Sequence, residues 1–375
     1  MRLASTHRKQ RGFTLIEIMV GCAISVVGLL VIFQTLAVWN RHSQTSMAGG
    51  DADTSGTLGM FSFERDIRLG GVGVATGLAA PMGACPVSVT GGAVTSFPLA
   101  PVVITFGAGG APDTIDVLYG NSSFFTDTEK VLSSTATSNY LRRRNGFHQG
   151  DLAIVAGQNG GAPACSLVEI TDTSDADGFT VKHESAVSYV SYYAAGGAAG
   201  LATFNPATPY PVVSNATMFS LGPAPRLNRW QIGNDSAGVP RLLQRSDLIH
   251  NTAAFDVAEG VINLKAEYGV DANNDGQIAG SEWTTTAPTD WTTLLAIRVA
   301  MLVRSGQFER SPDAGASDVA GEVTPAAPTW SGGTFLMTDV NGNADTSLPN
   351  DPNNWRYYRY RVYEKVIPLR NMLWN

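Results

Sequence analysis

The chain reads as an α+β protein: a long N-terminal helix that spans a membrane and continues as a stalk, then a loop-rich, mainly antiparallel β head. Three observations carry this. Residues 13–39 form an almost unbroken apolar run, long enough as a helix to reach roughly 40 Å and cross a bilayer with some tilt. The composition, with 40 Gly and 19 Pro among 375 residues and only 15% charged, fits a β protein with many turns better than a helical bundle. Several later segments alternate apolar and polar residues with the period of two of a half-buried strand.

The first element is a basic stub, residues 1–12, in which Arg2, Arg8, Lys9 and Arg11 precede Gly12. A secretory signal would have an apolar core of about 7–15 residues with a small-residue cleavage site after it, and this core is longer. Glu17 also lies near its start. A carboxylate at the membrane centre costs on the order of 2.5–3.5 kcal/mol on insertion scales, so an ordinary single-pass anchor leaves Glu17 unexplained. It also gives no role to Gly12 at the polar-apolar boundary. What remains is cleavage before the apolar run, which keeps the helix 13–39 in the mature chain. Basic residues before the span and few after it place the N-terminus in the cytoplasm and the head in the periplasm.

Residues 40–70 continue the helix as a periplasmic stalk. Residues 43–69 contain no proline, and Met60, Phe63 and Ile67 recur at helical spacing before Gly70-Gly71 ends the segment. Gly49-Gly50 predicts a bend or melted turn, since each glycine in a helix interior costs about 1 kcal/mol relative to alanine.

The head, residues 71–375, shows strand signals at 114–119, 151–155, 166–170, 262–270 and 296–304. Near the end Tyr358, Tyr360 and Val362 alternate with Arg359 and Arg361. Residues 194–200 and 305–333 read as loops. The net charge of −7 argues against nucleic-acid binding by bulk electrostatics. Cys22 falls inside the apolar helix, whereas Cys85 and Cys165 fall in the exported head, where oxidation is permitted. A Cys85–Cys165 bridge would close a loop of about 80 residues and stabilise by roughly 4–5 kcal/mol on the chain-entropy estimate; the alternative is two buried thiols.

One motif has metal-site spacing. Residues 271–282 place Asp271, Asn273 and Asp275 at positions 1, 3 and 5 of a calcium loop, with Gly276 at 6, Gln277 at 7 and Glu282 at 12. A hard Ca2+ ion takes six to eight oxygens; here three side chains, the Gln277 carbonyl and a bidentate Glu282 would supply them. The strand-like flanks exclude an EF-hand pair. An Asx-rich hairpin loop without metal is the competing reading. Residues 339–345 carry similar oxygens without the spacing or the terminal Glu and read as a turn.

No catalytic constellation emerges. His7, His42, His148, His183 and His250 are scattered without zinc-type spacing, and neither a nucleophile elbow nor a phosphate loop is present. Arg142-Arg143-Arg144 reads as a solvated loop. Strand alternation accounts for the aromatic and basic run 355–361 more simply than stacking on single-stranded DNA.

The segment Gly12-Phe13-Thr14-Leu15-Ile16-Glu17, with basic residues before it and an apolar helix after it, resembles the prepilin cleavage motif of type IV pilins and type II secretion pseudopilins. Further along, Arg65-Asp66-Ile67-Arg68-Leu69-Gly70, Glu267-Tyr268-Gly269-Val270-Asp271, Leu302-Val303-Arg304-Ser305 and Val366-Ile367-Pro368-Leu369-Arg370-Asn371 look like the PilW family of minor type IV pilins. The resemblance implies a pilin-like fold and a prepilin peptidase that cuts between Gly12 and Phe13 and methylates the new amino group of Phe13. It implies that Glu17 pairs with a protonated N-terminal amine once helices bundle away from lipid. Expected partners are other minor pilins, the major pilin, prepilin peptidase and the inner membrane, with the head at the pilus or cell surface after assembly. The expected role is non-enzymatic: a subunit that primes pilus assembly and sits at or near the tip. The nearest alternative is the J-type minor pseudopilin of type II secretion, and the contrasting class is a membrane-tethered adhesin or enzyme.

Overall fold

The computed structural model describes residues 14–74, 85–124, 128–206, 212–309, 322–345, 348–349 and 351–371. A single helix, Leu15–Leu69, opens the chain, and the molecule divides into two compact units after Gly50. The helix runs unbroken through Gly49 and Gly50, so the melted turn expected there is absent. A Cβ at either glycine would meet nothing within 4 Å, so close packing does not account for them. Residues Leu15–Leu36 have a mean hydropathy of 2.6 and none of them is buried, the one helix among the described residues apolar and long enough to span a membrane. At the other end the helix stops where expected, and Gly71 turns the chain with a positive φ of 83°.

The unit that begins at Asp51 is mainly antiparallel β, as the sequence predicts. Its eight-stranded sheet runs, in spatial order, Ser96–Pro98, Pro86–Ser88, Ala162–Glu169, Leu152–Asn159, Ser214–Gly222, Glu129–Ser134, Ser138–Leu141 and Thr180–Lys182. Only the pairing of Pro86–Ser88 with Ala162–Glu169 is parallel. The strands expected at 151–155 and 166–170 are the arms of a longer hairpin, whose turn is Gly160-Gly161 with φ of 59° and 90°. Two successive positive φ values suit a tight hairpin turn and favour glycine at both positions.

A five-stranded sheet follows the order Asn251–Glu259, Pro240–Asp247, Arg226–Asn234, Thr114–Tyr119 and Val102–Thr105. A four-stranded sheet follows the order Trp283–Thr284, Val261–Val270, Leu294–Arg304 and Tyr360–Pro368. The helix residues Met60, Phe63 and Ile67 join one hydrophobic core with apolar side chains from all three sheets. Their spacing of three and four puts them on one helix face. A second core, including Val131, Leu141, Val168 and Met218, fills the other side of the eight-stranded sheet.

The strand Val261–Val270 departs from the half-buried expectation: Leu264, Ala266 and Tyr268 point into the core, but Asn263 and Glu267 on the opposite face are buried as well. Lys265 pairs with buried Asp113 at 2.9 Å, and Glu267 is held by Arg298, whose guanidinium stacks 4.6 Å from the Trp283 ring. These paired charges, a type the sequence pattern assigns to solvent, let the outer face be covered. The last strand begins at Tyr360 rather than Tyr358, because Trp355–Tyr357 forms a 3-10 turn capped by the Asn354 side chain. Trp355, Tyr357 and Tyr358 are buried, which leaves them unavailable as a stacking surface. The segment 194–200 lies mostly in the loop of a ribbon that pairs Ser188–Val190 with Ala199–Leu201. A second short ribbon, Thr329–Trp330 with Gly333–Thr334, closes the loop expected at 305–333.

Candidate assembly face and calcium-type loop

Gly12 and Phe13 lie outside the described residues; the helix is visible from its cap onward. Thr14 and Glu17 form a capping box: the Thr14 backbone N–H and hydroxyl donate to Glu17 Oε2 at 2.8 and 2.9 Å, and the Glu17 N–H donates to Thr14 Oγ1 at 3.3 Å. The Thr-x-x-Glu spacing encodes this arrangement, and it puts the carboxylate at the positive end of the helix dipole. The sequence alone singled out Glu17 for its misplaced charge and missed its local role.

On the head, the helix is held by polar contacts that periodicity does not reveal. Asp66 is fully buried, and its Oδ2 accepts from Asn228 Nδ2 at 2.7 Å and from Trp230 Nε1 at 3.0 Å. Tyr119 donates to Asp66 Oδ1 at 3.4 Å, and burial, reinforced by the negative charge of Asp66, pushes the Tyr119 phenol up to about 12. The Arg245 guanidinium is 3.9 Å from the Asp66 carboxylate and lies over the Trp230 ring, which meets Phe63 edge-on at 5.2 Å. A charged residue among Phe63, Ile67 and Trp230 is the signal a sequence could offer, though its partners are about 160 residues away.

Along its flank the helix meets the last strand. Arg361 Nη1 donates to Asp53 Oδ1 at 2.8 Å, Tyr363 also donates to Asp53, and Lys365 Nζ reaches Glu64 Oε2 at 2.5 Å. The Tyr363 hydrogen bond is the main cause that lowers the Asp53 carboxyl below its usual range. Gly56 makes room for this strand, since a Cβ there would fall 2.1 Å from Cε2 of the Tyr363 ring. Asn371 Nδ2 then donates to the Gly70 carbonyl at 3.0 Å and caps the helix end. The motif segments 65–70 and 366–371 thus meet in space.

The loop 271–282 connects two strands, with Tyr268 opposite Thr284 and Gly269 opposite Trp283, so its flanks are β as expected. Asp271 accepts the N–H groups of Asp275 and Gly276 at 3.1 and 2.8 Å, Asn273 accepts Asp275 N–H at 2.9 Å, and Asp275 accepts Gln277 N–H at 2.8 Å. Glu282 reaches back to the N–H groups of Ala272 and Ala279 at 3.1 and 2.7 Å. Asn274 and Gly276, with φ of 57° and 78°, fold the loop tightly enough for this. Among the described residues no three His, Cys, Asp or Glu side chains are gathered as a metal cluster. The second Asx run is a turn, closed by Asp339 N–H to the Asn343 carbonyl at 2.9 Å.

Cys85 and Cys165 form a disulfide across a sequence separation of 80, beside the parallel pairing of Val87 with Cys165. The described head histidines are dispersed. His148 stacks on Phe124, His250 bonds Asp247, and His183 is buried, which pushes its imidazole down to about 4.

Two family models match this chain. The model for Type IV Pilus-assembly protein W (PilW) covers residues 229–371, and the prokaryotic N-terminal methylation motif covers residues 7–33. No curated protein and no solved structure gives a significant match.

Proposed function

For this chain, a pilin-like protein of the PilW family by its two matched segments, we propose that the minor-pilin role in a type IV pilus which those segments support is that of a priming subunit placed at or near the tip. The observation that carries this reading is the union of a methylation motif, an unburied apolar helix and a head of more than 300 residues built around the second half of that helix. A subunit within the shaft must accommodate neighbours on every side, whereas a first or last subunit tolerates a bulky head. The PilW match favours a pilus over a secretion machine. The role is non-enzymatic.

In this reading prepilin peptidase cuts between Gly12 and Phe13 and methylates Phe13. The head faces the periplasm before assembly and the cell exterior afterwards. Partners are other minor pilins and the major pilin, recruited through the helix. Glu17, pre-set at the helix start by Thr14, pairs there with a protonated N-terminal amine. The test is intact-mass analysis of native membrane material beside a Glu17→Ala variant. The mature chain is expected to lack residues 1–12 and carry one methyl group, with the variant inserted in the membrane yet poorly incorporated into pili. A retained leader, or normal incorporation of Glu17→Ala, would overturn the reading.

The loop 271–282 is proposed to bind calcium through Asp271, Asn273, Asp275, the Gln277 carbonyl and Glu282, with a stabilising rather than chemical role. Support comes from the oxygen-bearing side chains at the required positions and from Glu282, whose carboxylate accepts from the Ala272 N–H and so draws the two ends of the loop together.

A further inference from the structure

We propose that the head binds a neutral saccharide in the cleft between the outer face of Val261–Val270, the loop 107–113 and the ribbon that pairs Thr329–Trp330 with Gly333–Thr334. The cleft measures about 400 Å³, within the roughly 300–1,000 Å³ of small-molecule sites. Its floor includes Lys265 and Glu267, and its sides carry Phe106, Trp330 and Leu336, the last 57% exposed. A few polar groups set among apolar and aromatic side chains is the make-up of a ligand pocket.

The charges at the floor do not suit an ionic ligand. Lys265 Nζ donates to Asp113 Oδ1 at 2.9 Å, and the Asp113 carboxylate also accepts the N–H groups of Gly107 and Ala266 at 2.9 and 3.0 Å, so both its oxygens are engaged within the protein. Glu267 commits Oε2 to Arg298, 2.9 Å from its Nε. Each charge thus has its counter-ion, and an anion or cation entering the cleft would give up its water without gaining a free partner. Glu267 Oε1 has no hydrogen-bond partner among the described residues and is left to accept from a ligand's donor.

Two glycines shape the site around that oxygen. A Cβ at Gly332 would fall 2.4 Å from Trp330 Cη2 and 2.9 Å from Glu267 Oε1, so the missing side chain leaves the ring and the carboxylate facing one gap. A Cβ at Gly110 would fall 2.5 Å from Leu336 Cβ, so the loop closes directly on that side chain. Trp330 is fixed in place, with the Arg298 guanidinium 5.7 Å from its ring centroid and the Phe335 ring at 6.3 Å. An aromatic ring, an exposed leucine and one free acceptor oxygen match a pyranose, which packs its C–H groups on apolar side chains while a rim hydroxyl donates to the carboxylate. A peptide strand fits less well, because the ribbon strand beside the cleft is two residues long and offers little edge to pair with.

The cleft lies wholly in the head, so this site and the minor-pilin role stand or fall separately. The test applies the full-length chain, solubilised in a sugar-free detergent, to a glycan array carrying neutral, sialylated, uronic-acid and sulfated members. Binding is expected to neutral members only. Affinity for the strongest of them, measured by titration, should fall at least tenfold in Gly332→Ala, which fills the gap between Trp330 and Glu267, and in Leu336→Glu, which sets a charge at the mouth. Leu336→Met should retain it, and the unfolding midpoint should not move in any of the three, since both positions are exposed. No binding to any neutral glycan, a preference for acidic ones, or full affinity in either Gly332→Ala or Leu336→Glu would each overturn the site.

Discussion

The five- and four-stranded sheets and the eight-stranded sheet share one core yet are secured by different means. The first two are fastened to the helix by directional polar contacts: the buried Asp66 network, the Asp53 and Glu64 pairs to the last strand, and the Asn371 cap. The eight-stranded sheet supplies apolar side chains to the common core, but it has a second core of its own and a disulfide that ties its Pro86–Ser88 end to the Ala162–Glu169 strand. The PilW match begins at Arg229 and covers most of the helix-fastened region while leaving the eight-stranded sheet outside. Hydrophobic burial alone lets a helix slide or rotate on a sheet, whereas a buried carboxylate with named donors accepts one register. The region tied to the N-terminal helix is thus the one in which orientation is specified, and the other is secured chiefly against unfolding.

Removing the disulfide should have the largest effect and should fall on the eight-stranded sheet. The double variant Cys85→Ala, Cys165→Ala is expected to lose about 4–5 kcal/mol on the chain-entropy estimate for a loop of this length. Hydrogen exchange should speed up first in Ala162–Glu169 and Ser214–Gly222 and last at Arg226–Asn234. Uniform acceleration would erase the distinction between the regions.

Asp66→Ala should act on the opposite side. It strips the Asn228 amide and Trp230 indole of their acceptor in a dry core, for an expected loss of about 3–4 kcal/mol. Denaturant unfolding of the detergent-solubilised chain measures it. A loss below about 1 kcal/mol would mean that apolar packing alone positions the helix.

The calcium proposed for the loop 271–282 should have the smallest of the three effects and should act only on the helix-fastened region. An ion that binds only the folded loop adds about 2.7 kcal/mol at a hundredfold excess over Kd. Extracellular modules commonly have a Kd of roughly 10⁻⁴ to 10⁻³ M, so the full-length chain should gain thermal stability in millimolar calcium, and Asp275→Ala should not. A midpoint insensitive to calcium in the parent would leave the loop a plain Asx turn.

Periodicity and composition made the helix, its end at Gly70-Gly71, the strand Thr114–Tyr119 and the paired cysteines legible, because each is a local signal or a compartment argument. The polar fastening was not legible. Asp66 looks like any stalk acid until Asn228 and Trp230 are brought to it, and Asn371 looks like tail until it caps Gly70. The covered outer face of Val261–Val270 escaped for a similar reason: Lys265 and Glu267 mark solvent in a pattern, whereas Lys265 is half-buried against Asp113 and Glu267 is buried against Arg298. The candidate assembly residue Glu17 stands out locally as a charge in an apolar run.

Pili sheared from cells and freed of membrane provide the most direct measurement of the central claim, with quantitative mass spectrometry of their subunits. The minor-pilin account predicts peptides of this chain from Phe13 onward, present far below the major subunit and lost in Glu17→Ala. Finding the chain only in the cell envelope, or at parity with the major subunit along the shaft, would contradict it.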